Sequence, residues 1–189
     1  MHSVWKTSIR FTLIATVLLG LGYPLVVTAI AGLLFPHKAA GSLIQLQDGT
    51  VIGSELLAQS FTSDRYFHPR PSAAGNGYDA SASGGSNLSQ SSKTLIDRIQ
   101  GSIDKLAKEN PGKPVPIDMV TTSASGLDPD ITPDNAYFQA PRIAKARGLS
   151  EDSVQELIDQ HTAGRQLGFL GEPRVNVLEL NLALDQLSK

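Results

Sequence analysis

The sequence predicts a mixed α/β (α+β) soluble domain carried behind one N-terminal transmembrane helix. From Phe11 to Phe35 the chain runs 25 residues without a charge, and all 18 acidic residues lie beyond that run. The remainder alternates between helix-spaced and strand-spaced apolar residues, separated by Gly-, Pro- and Ser-rich punctuation. A 25-residue helix extends about 37 Å, more than a ~30 Å hydrocarbon core requires. The stretch after the helix is long enough for one domain with a real core and too short for two, so its topology is left open but its unity is not.

The flanking charges orient the helix. Lys6, Arg10 and the amino terminus precede it, against Lys38 and His37 after it. The positive-inside bias then assigns residues 1–10 to the cytoplasm, 11–35 to the membrane and 36–189 to a single periplasmic domain. The absence of cysteine fits a domain outside a bacterial cytoplasm that does without disulfides, and fits many cytosolic proteins equally. A cleaved signal peptide is the competing reading, with Ala29-Ile30-Ala31 as a small-x-small site. Apolar residues continue through Phe35, however, past the end of a usual ~7–15-residue signal core.

Within the helix, Thr12, Thr16, Gly20, Pro24, Thr28 and Gly32 recur at every fourth position. Each step of four overshoots a full turn by about 40°, so the series forms a slowly winding ridge. Small residues on such a ridge let another helix approach closely, and Thr16, Gly20, Pro24, Thr28 and Gly32 are the candidate subunit interface. Pro24 removes a backbone donor from the Gly20 carbonyl, predicting a kink that a partner helix, Tyr23 or a threonine hydroxyl would help to satisfy.

Beyond the membrane, Leu43–Gln47 and 50–52 flank the turn signal Asp48-Gly49, predicting a short hairpin. Ser54 is positioned to cap a short helix through Gln59. Residues 72–92 are rich in Ser, Gly, Ala and Asn and predict a long loop, functional or disordered. Ser92 opens an amphipathic helix to Glu109, with Leu95, Ile96, Ile99, Ile103 and Leu106 on one face, ended by Pro111-Gly112. Val115–Thr121 reads as a strand, which Pro116 confines to an edge. Thr132-Pro133 is a cap followed by proline at the first helical position. That helix is expected to break near Pro141, restart through Arg147 and stop at Gly148. Ser150 begins another, with Val154, Leu157, Ile158 and His161 inward. Val175 and Val177 alternate like a strand, and Leu180, Leu184 and Leu187 are spaced like a helix, so a short strand runs into a terminal helix.

The chemistry legible in the chain is mostly negative. Against 18 acids, residues 39–189 carry 13 Lys and Arg, which argues against nucleic acid. His2, His37, His68 and His161 share no zinc-like spacing, so no metal site is assigned. Asp128-Pro129-Asp130 lacks the glycine and distal glutamate of a calcium loop; Asp128 reads as a turn residue and Asp130 as a solvated carboxylate. Ser83-Gly84 and Ser125-Gly126 lack the leading glycine of a nucleophile elbow. Ser102-Ile103-Asp104-Lys105 matches S-x-x-K without its partner elements, and Gly84-Gly85-Ser86-Asn87 ahead of Lys93-Thr94 has the wrong spacing for a phosphate loop. No catalytic residue is assigned. Three dense segments remain: 66–72, 121–128 and 141–147. Each reads either as a structural element (a loop clamp, a tight turn, a solvated face) or as a recognition surface on a rigid scaffold.

Those segments, in this order behind a single helix, resemble the C-subunit family of the Kdp potassium-transporting ATPase (KdpC). The resemblance runs nearly end to end, through Gly22-Tyr23-Pro24-Leu25, Gly41-Ser42-Leu43-Ile44, and Tyr66-Phe67-His68 with Arg70-Pro71-Ser72. It continues in Ala82-Ser83-Gly84-Gly85-Ser86-Asn87-Leu88, in 123–128 with Asp130-Ile131-Thr132-Pro133, and in 141–147. It closes with Val175-Asn176-Val177 and Glu179-Leu180-Asn181-Leu182-Ala183-Leu184-Asp185. Pro69 departs from the pattern, where a smaller residue such as glycine is expected.

The resemblance implies a non-catalytic subunit of a bacterial inner-membrane potassium pump. Its partners would be a channel-like potassium-selecting subunit, a P-type ATPase subunit and a very small single-helix subunit. The subunit would serve assembly and high-affinity uptake, and would raise the ATPase subunit's affinity for ATP as a catalytic chaperone. In that account Ser83, Gly84, Gly85, Ser86 and Asn87 are likened to the Leu-Ser-Gly-Gly-Gln signature of ABC transporters. The orientation of the helix opposes direct contact, because residues beyond it would face away from cytoplasmic ATP. The expectation is therefore that no cofactor binds this chain and that ATP and potassium act at partner subunits, with any effect on ATP affinity allosteric. An anchored periplasmic hydrolase and a free-standing binding module are the alternative readings.

Overall fold

The structure, a computed structural model, describes residues 2–46 and 48–187. It comprises two compact units, Met1–Ile52 and Gly53–Lys189. The first is dominated by a continuous helix, Ser3–Leu34, long and apolar enough to cross a membrane. It begins as α1 (His2–Ala15), passes through a π-helical segment (Thr16–Gly22) and continues as α2 (Tyr23–Leu34). In the π segment the Tyr23 N–H reaches back five residues to the Leu18 carbonyl. This widened turn lies just before Pro24, and such a turn is one of the ways a helix accommodates a missing donor.

After α3 (Pro36–Ala39) comes the expected hairpin, β1 (Leu43–Gln45) paired with β2 (Val51–Ser54). Its turn is closed by Thr50 N–H donating to Asp48 Oδ1 at 2.9 Å and Leu46 N–H donating to the Thr50 carbonyl at 2.9 Å. Gln47, placed in the first strand by its sequence, lies outside the described residues.

The second unit is built on α5 (Pro133–Arg147), α6 (Glu151–Gln160) and α7 (Val177–Leu187) around a small antiparallel sheet. The sheet has β5 (Arg174–Asn176) between β3 (Asp130–Ile131) and β4 (Thr162–Ala163). Ile131 and Thr162 flank Val175, and Asp130 pairs with Asn176. On β5 only Val175 turns inward. It joins Ile131, Ala140, Ile143, Val154, Ile158, Leu180 and Leu184 in the core, together with Phe67 from a segment outside any strand. Thr132 and Ser150 cap α5 and α6 through their hydroxyls, accepting from the N–H groups of Asn135 and Ser153, and Gly148 ends α5 in the left-handed region at φ +68°. The amphipathic α4 (Lys93–Glu109) follows Ser92 as expected, although Ser92 caps it without a side-chain hydrogen bond.

Three local expectations are corrected. Ser54 caps a turn, not a helix: its hydroxyl accepts from Leu56 N–H, and then Ala58 N–H pairs with the distant Leu127 carbonyl, which pulls the chain off a helical path. Val115–Thr121 forms no strand; a 3₁₀ turn at Ile117–Met119 replaces it. That turn presents the buried Asp118 carboxylate to Thr132 N–H at 2.8 Å and Asn135 Nδ2 at 3.0 Å, satisfying a charge that a ladder would leave unpaired. The α5 helix does not break at Pro141. Burial of Ala136, Ala140, Ile143 and Ala144 on its inner face outweighs the ~3 kcal/mol cost of an interior proline. Nearby, Asn110 Nδ2 supports the Phe138 carbonyl at 2.6 Å.

Candidate functional site

Two features are candidate functional surfaces: the small-residue ridge on the N-terminal helix, and the clamp formed where the three dense segments meet. On the helix, Thr16, Gly20, Pro24, Thr28 and Gly32 are all exposed. A Cβ at Gly20 would touch only Thr16 Cγ2 at 3.8 Å, and one at Gly32 would meet nothing within 4 Å. The π segment alters the ridge usefully. With i→i−5 bonding more residues complete each turn, so a step of four falls short of a full circle where in α-helix it overshoots. Between Thr16 and Gly20 the winding is therefore offset, and the small residues stay closer to one face.

In the clamp, residues 64–68, which begin in a turn closed by Tyr66 N–H donating to the Ser63 carbonyl, are held by side chains of α5 and α7 rather than by a sheet. Asn181 bonds both backbone groups of Phe67, accepting from its N–H at 2.8 Å and donating to its carbonyl at 3.0 Å. Gln139 does the same for His68 at 2.8 and 3.1 Å. Arg142 donates to the carbonyls of Asp64 and Tyr66 at 2.6 and 3.1 Å. Arg147, whose side chain is 2% exposed, donates to the Arg65 carbonyl at 2.7 Å and to Asp185 at 2.8 Å, and stacks 4.8 Å over the Tyr66 ring. Tyr66 Oη completes the set by donating to Asp185 at 3.1 Å. The solvated-face reading of 141–147 is thus corrected: two of its three cations are tied to backbone carbonyls, and Lys145 alone is exposed.

A second lock orders the 72–92 loop. Ser72 Oγ donates to the Gly126 carbonyl at 2.6 Å and accepts from the N–H groups of Ala74 and Tyr78, while Tyr78 Oη donates to the Arg70 carbonyl at 2.8 Å. Gly84 N–H and Ser83 Oγ both donate to the Ser125 carbonyl, at 2.9 and 3.0 Å. Gly85 lies so close to Ala124 that a Cβ would sit 3.1 Å from its carbonyl oxygen. Asn87, at φ +51°, is exposed beyond this contact. Gly126 is the tightest point: at φ +68°, a Cβ would meet Ala74 N at 2.7 Å and the Gly84 carbonyl at 2.8 Å. Gly126→Ala is therefore expected to lower the unfolding free energy by about 2–4 kcal/mol and to free the loop, read as faster proteolysis within 72–92.

Asp128 and Asp130 do not share a cation. Asp128 pairs with Arg70 at 2.9 Å and Asp130 with Arg174 at 3.0 Å. Among the described residues no group of three or more His, Cys, Asp or Glu is arranged to hold a metal ion. The motif reading missed Asp118, Asn135, Gln139 and Asn181. The signal was present: Asn135, Gln139 and Arg142 follow helical spacing on α5, and Asn181 interrupts the leucines of α7, placing amides on otherwise core-facing helices.

Burial, helped by the neighbouring Arg142 cation, holds His68 below its ordinary value of 6.5. Folding then favours the neutral ring, so the unfolded chain binds more protons as the solution acidifies. The contribution is complete above pH ~6.5 and is lost as pH falls through the depressed folded value. Burial raises Asp130 instead, which acts with the opposite sign as pH rises above the carboxylate range. His68→Asn is expected to flatten the loss of thermal stability on acidification from pH ~7.5, measured by unfolding temperature against pH; an unchanged slope would assign it to other groups.

Comparison with known proteins places these features in context. Over residues 5–186 the chain matches the family described as KdpC: K+-transporting ATPase, c chain. It is 56% identical over 179 residues to the potassium-transporting ATPase KdpC subunit of Koribacter versatilis (strain Ellin345), covering 95% of this chain and 92% of that protein. It is 55% identical over 192 residues to the subunit of the same description from Rhodopseudomonas palustris (strain BisB18), covering 95% and 96%. With that of Caulobacter sp. (strain K31) it shares 59% over 170 residues, covering 90% and 87%.

Proposed function

Since the chain belongs to the KdpC family of potassium-transporting ATPase subunits, we propose that it is a non-catalytic accessory subunit that holds the pump together through its membrane helix. The observation that carries this reading is the exposed small-residue ridge on a helix long enough to span a bilayer. Lipid tails give no hydrophobic drive for helix association, so close backbone approach along Thr16, Gly20, Pro24, Thr28 and Gly32 supplies the packing instead. The partner on this face is the channel-like potassium-binding subunit. The N-terminus stays in the cytoplasm of a bacterial inner membrane, and residues 36–189 stand in the periplasm.

There the acidic domain covers the outer potassium entrance and raises the local cation concentration. ATP and potassium act at the partner subunits, and a gain in ATP affinity at the P-type ATPase subunit passes through the shared membrane packing. The arrangement of Ser83–Asn87 supports this division. Gly85 lies against Ala124 and the Gly84 N–H donates to the Ser125 carbonyl, so this stretch is engaged with 124–126.

The test is a mild-detergent pull-down of the tagged chain from its native membrane, with protease added to intact spheroplasts in parallel. Co-recovery of a P-type ATPase and a channel-like subunit, with the domain cleaved from outside, is the expected result. Recovery of the chain alone removes the assembly role, and a domain protected from external protease reverses the topology.

A further inference from the structure

Between β4 and β5 the chain leaves the sheet, and every residue from Ala163 to Glu172 is exposed. The excursion is nonetheless a built hairpin. Gln166 and Leu170 exchange both backbone hydrogen bonds at 2.9 Å, and Arg165 pairs with Glu172 at 2.5 Å across its base. Leu167 and Gly168 turn the tip at φ +52° and +83°. Around that turn stand Leu167, Phe169 and Leu170, respectively 83%, 68% and 47% exposed. A leucine held in the left-handed region and pointed at water stabilises nothing within the isolated unit, and such strain marks sites fixed by what they contact. Elsewhere in 53–189 the described exposed large apolar residues are single or, at Leu56-Leu57, a pair. No other stretch of the described residues of that unit places three within four positions of the chain.

Resting on the accessory-subunit reading above, we infer that this hairpin tip is an anchor that seats in an apolar cleft on the extracytoplasmic side of a membrane-embedded subunit of the pump. Charge decides between protein and lipid as the occupant. An anionic bilayer surface attracts unpaired Lys and Arg, and its interface favours Trp and Tyr. Here the hairpin's single cation is neutralised by Glu172, its aromatic is a phenylalanine, and the domain behind it is net acidic. A fluid lipid surface also makes no use of a fixed turn, whereas a shaped cleft rewards a pre-organised apolar anchor. The membrane ridge and the hairpin then act as two contacts on one assembly, so that each strengthens the other through effective concentration.

The experiment places a photo-crosslinking benzoyl-phenylalanine at Phe169 in the full chain, irradiates the assembled complex in native membranes and identifies adducts by mass spectrometry. A Leu167→Ser/Phe169→Ser variant is assayed in parallel for partner recovery and unfolding temperature. Expected are adducts to a partner subunit and an at least tenfold loss of partner recovery at unchanged unfolding temperature, since neither side chain reaches the core. A complex recovered at wild-type yield with adducts only to lipid, to a second copy of this chain or to nothing would overturn the anchor and leave the accessory-subunit reading standing. Failure of the unmodified chain to bring down any partner would overturn both.

Discussion

Gly20→Leu is expected to leave the chain inserted and folded but to reduce recovery of its membrane partner at least tenfold. The helix itself tolerates the new side chain, because a Cβ at that position lies at ordinary contact distance from Thr16 Cγ2 and from nothing else within 4 Å. The damage falls on whatever packs there. A leucine on a small-residue ridge forces the facing backbone outward and forfeits dispersion contacts that decay steeply with distance. A tenfold loss corresponds to about 1.4 kcal/mol, a modest demand for displacing a close helix crossing. Leu18→Ala, on the far side of the same helix, serves as the control and is expected to keep wild-type recovery. Equal effects of the two changes would mean that the ridge is not the contact face.

The second large effect is expected from Arg147→Met. Methionine retains much of the stem but abandons the Arg65 carbonyl, the Asp185 carboxylate and the Tyr66 ring. Hydrogen bonds involving charged groups contribute about 1.5–3 kcal/mol each when partly desolvated. Asp185 is 44% exposed and regains water, which keeps the total near ~3 kcal/mol rather than at the top of the range for broken buried pairs. For a domain of this size that shift lowers the unfolding temperature by roughly 10 °C. A double-mutant cycle with Asp185→Asn apportions the loss, and additive single effects would show that the pair is not coupled.

Both expectations concern residues in segments that the sequence itself singled out, but the sequence conveyed different amounts about each. The long N-terminal helix was legible because its determinants are local: an uncharged run of sufficient length, and a recurrence of small residues at fixed spacing. The caps at Thr132 and Ser150, the αL stop at Gly148 and the Asp48-Gly49 hairpin turn were legible for the same reason, since each joins residues a few positions apart. The strand expected at Val115–Thr121 failed because local β propensity competed with Asp118, whose carboxylate seeks donors at Thr132 and Asn135. The break expected at Pro141 failed because core packing of α5 outweighed one missing donor.

By itself the sequence determined a helix long and apolar enough to cross a membrane, the caps of α5 and α6, the family to which the chain belongs and the composition that disfavours nucleic acid. Tertiary structure alone decided that the segment 64–68, outside any strand, is held by Asn181, Gln139, Arg142 and Arg147 in place of a neighbouring strand. It alone decided that Gly85 and Gly126 are small because two loops cross there, and that a hairpin with an apolar tip stands between two strands of two and three residues. The reason is separation along the chain. Periodicity and capping report on neighbours within a turn or two, whereas Phe67 and Asn181 lie 114 residues apart. Contacts of that span leave no periodic trace, because the partner's position depends on how every intervening element packs.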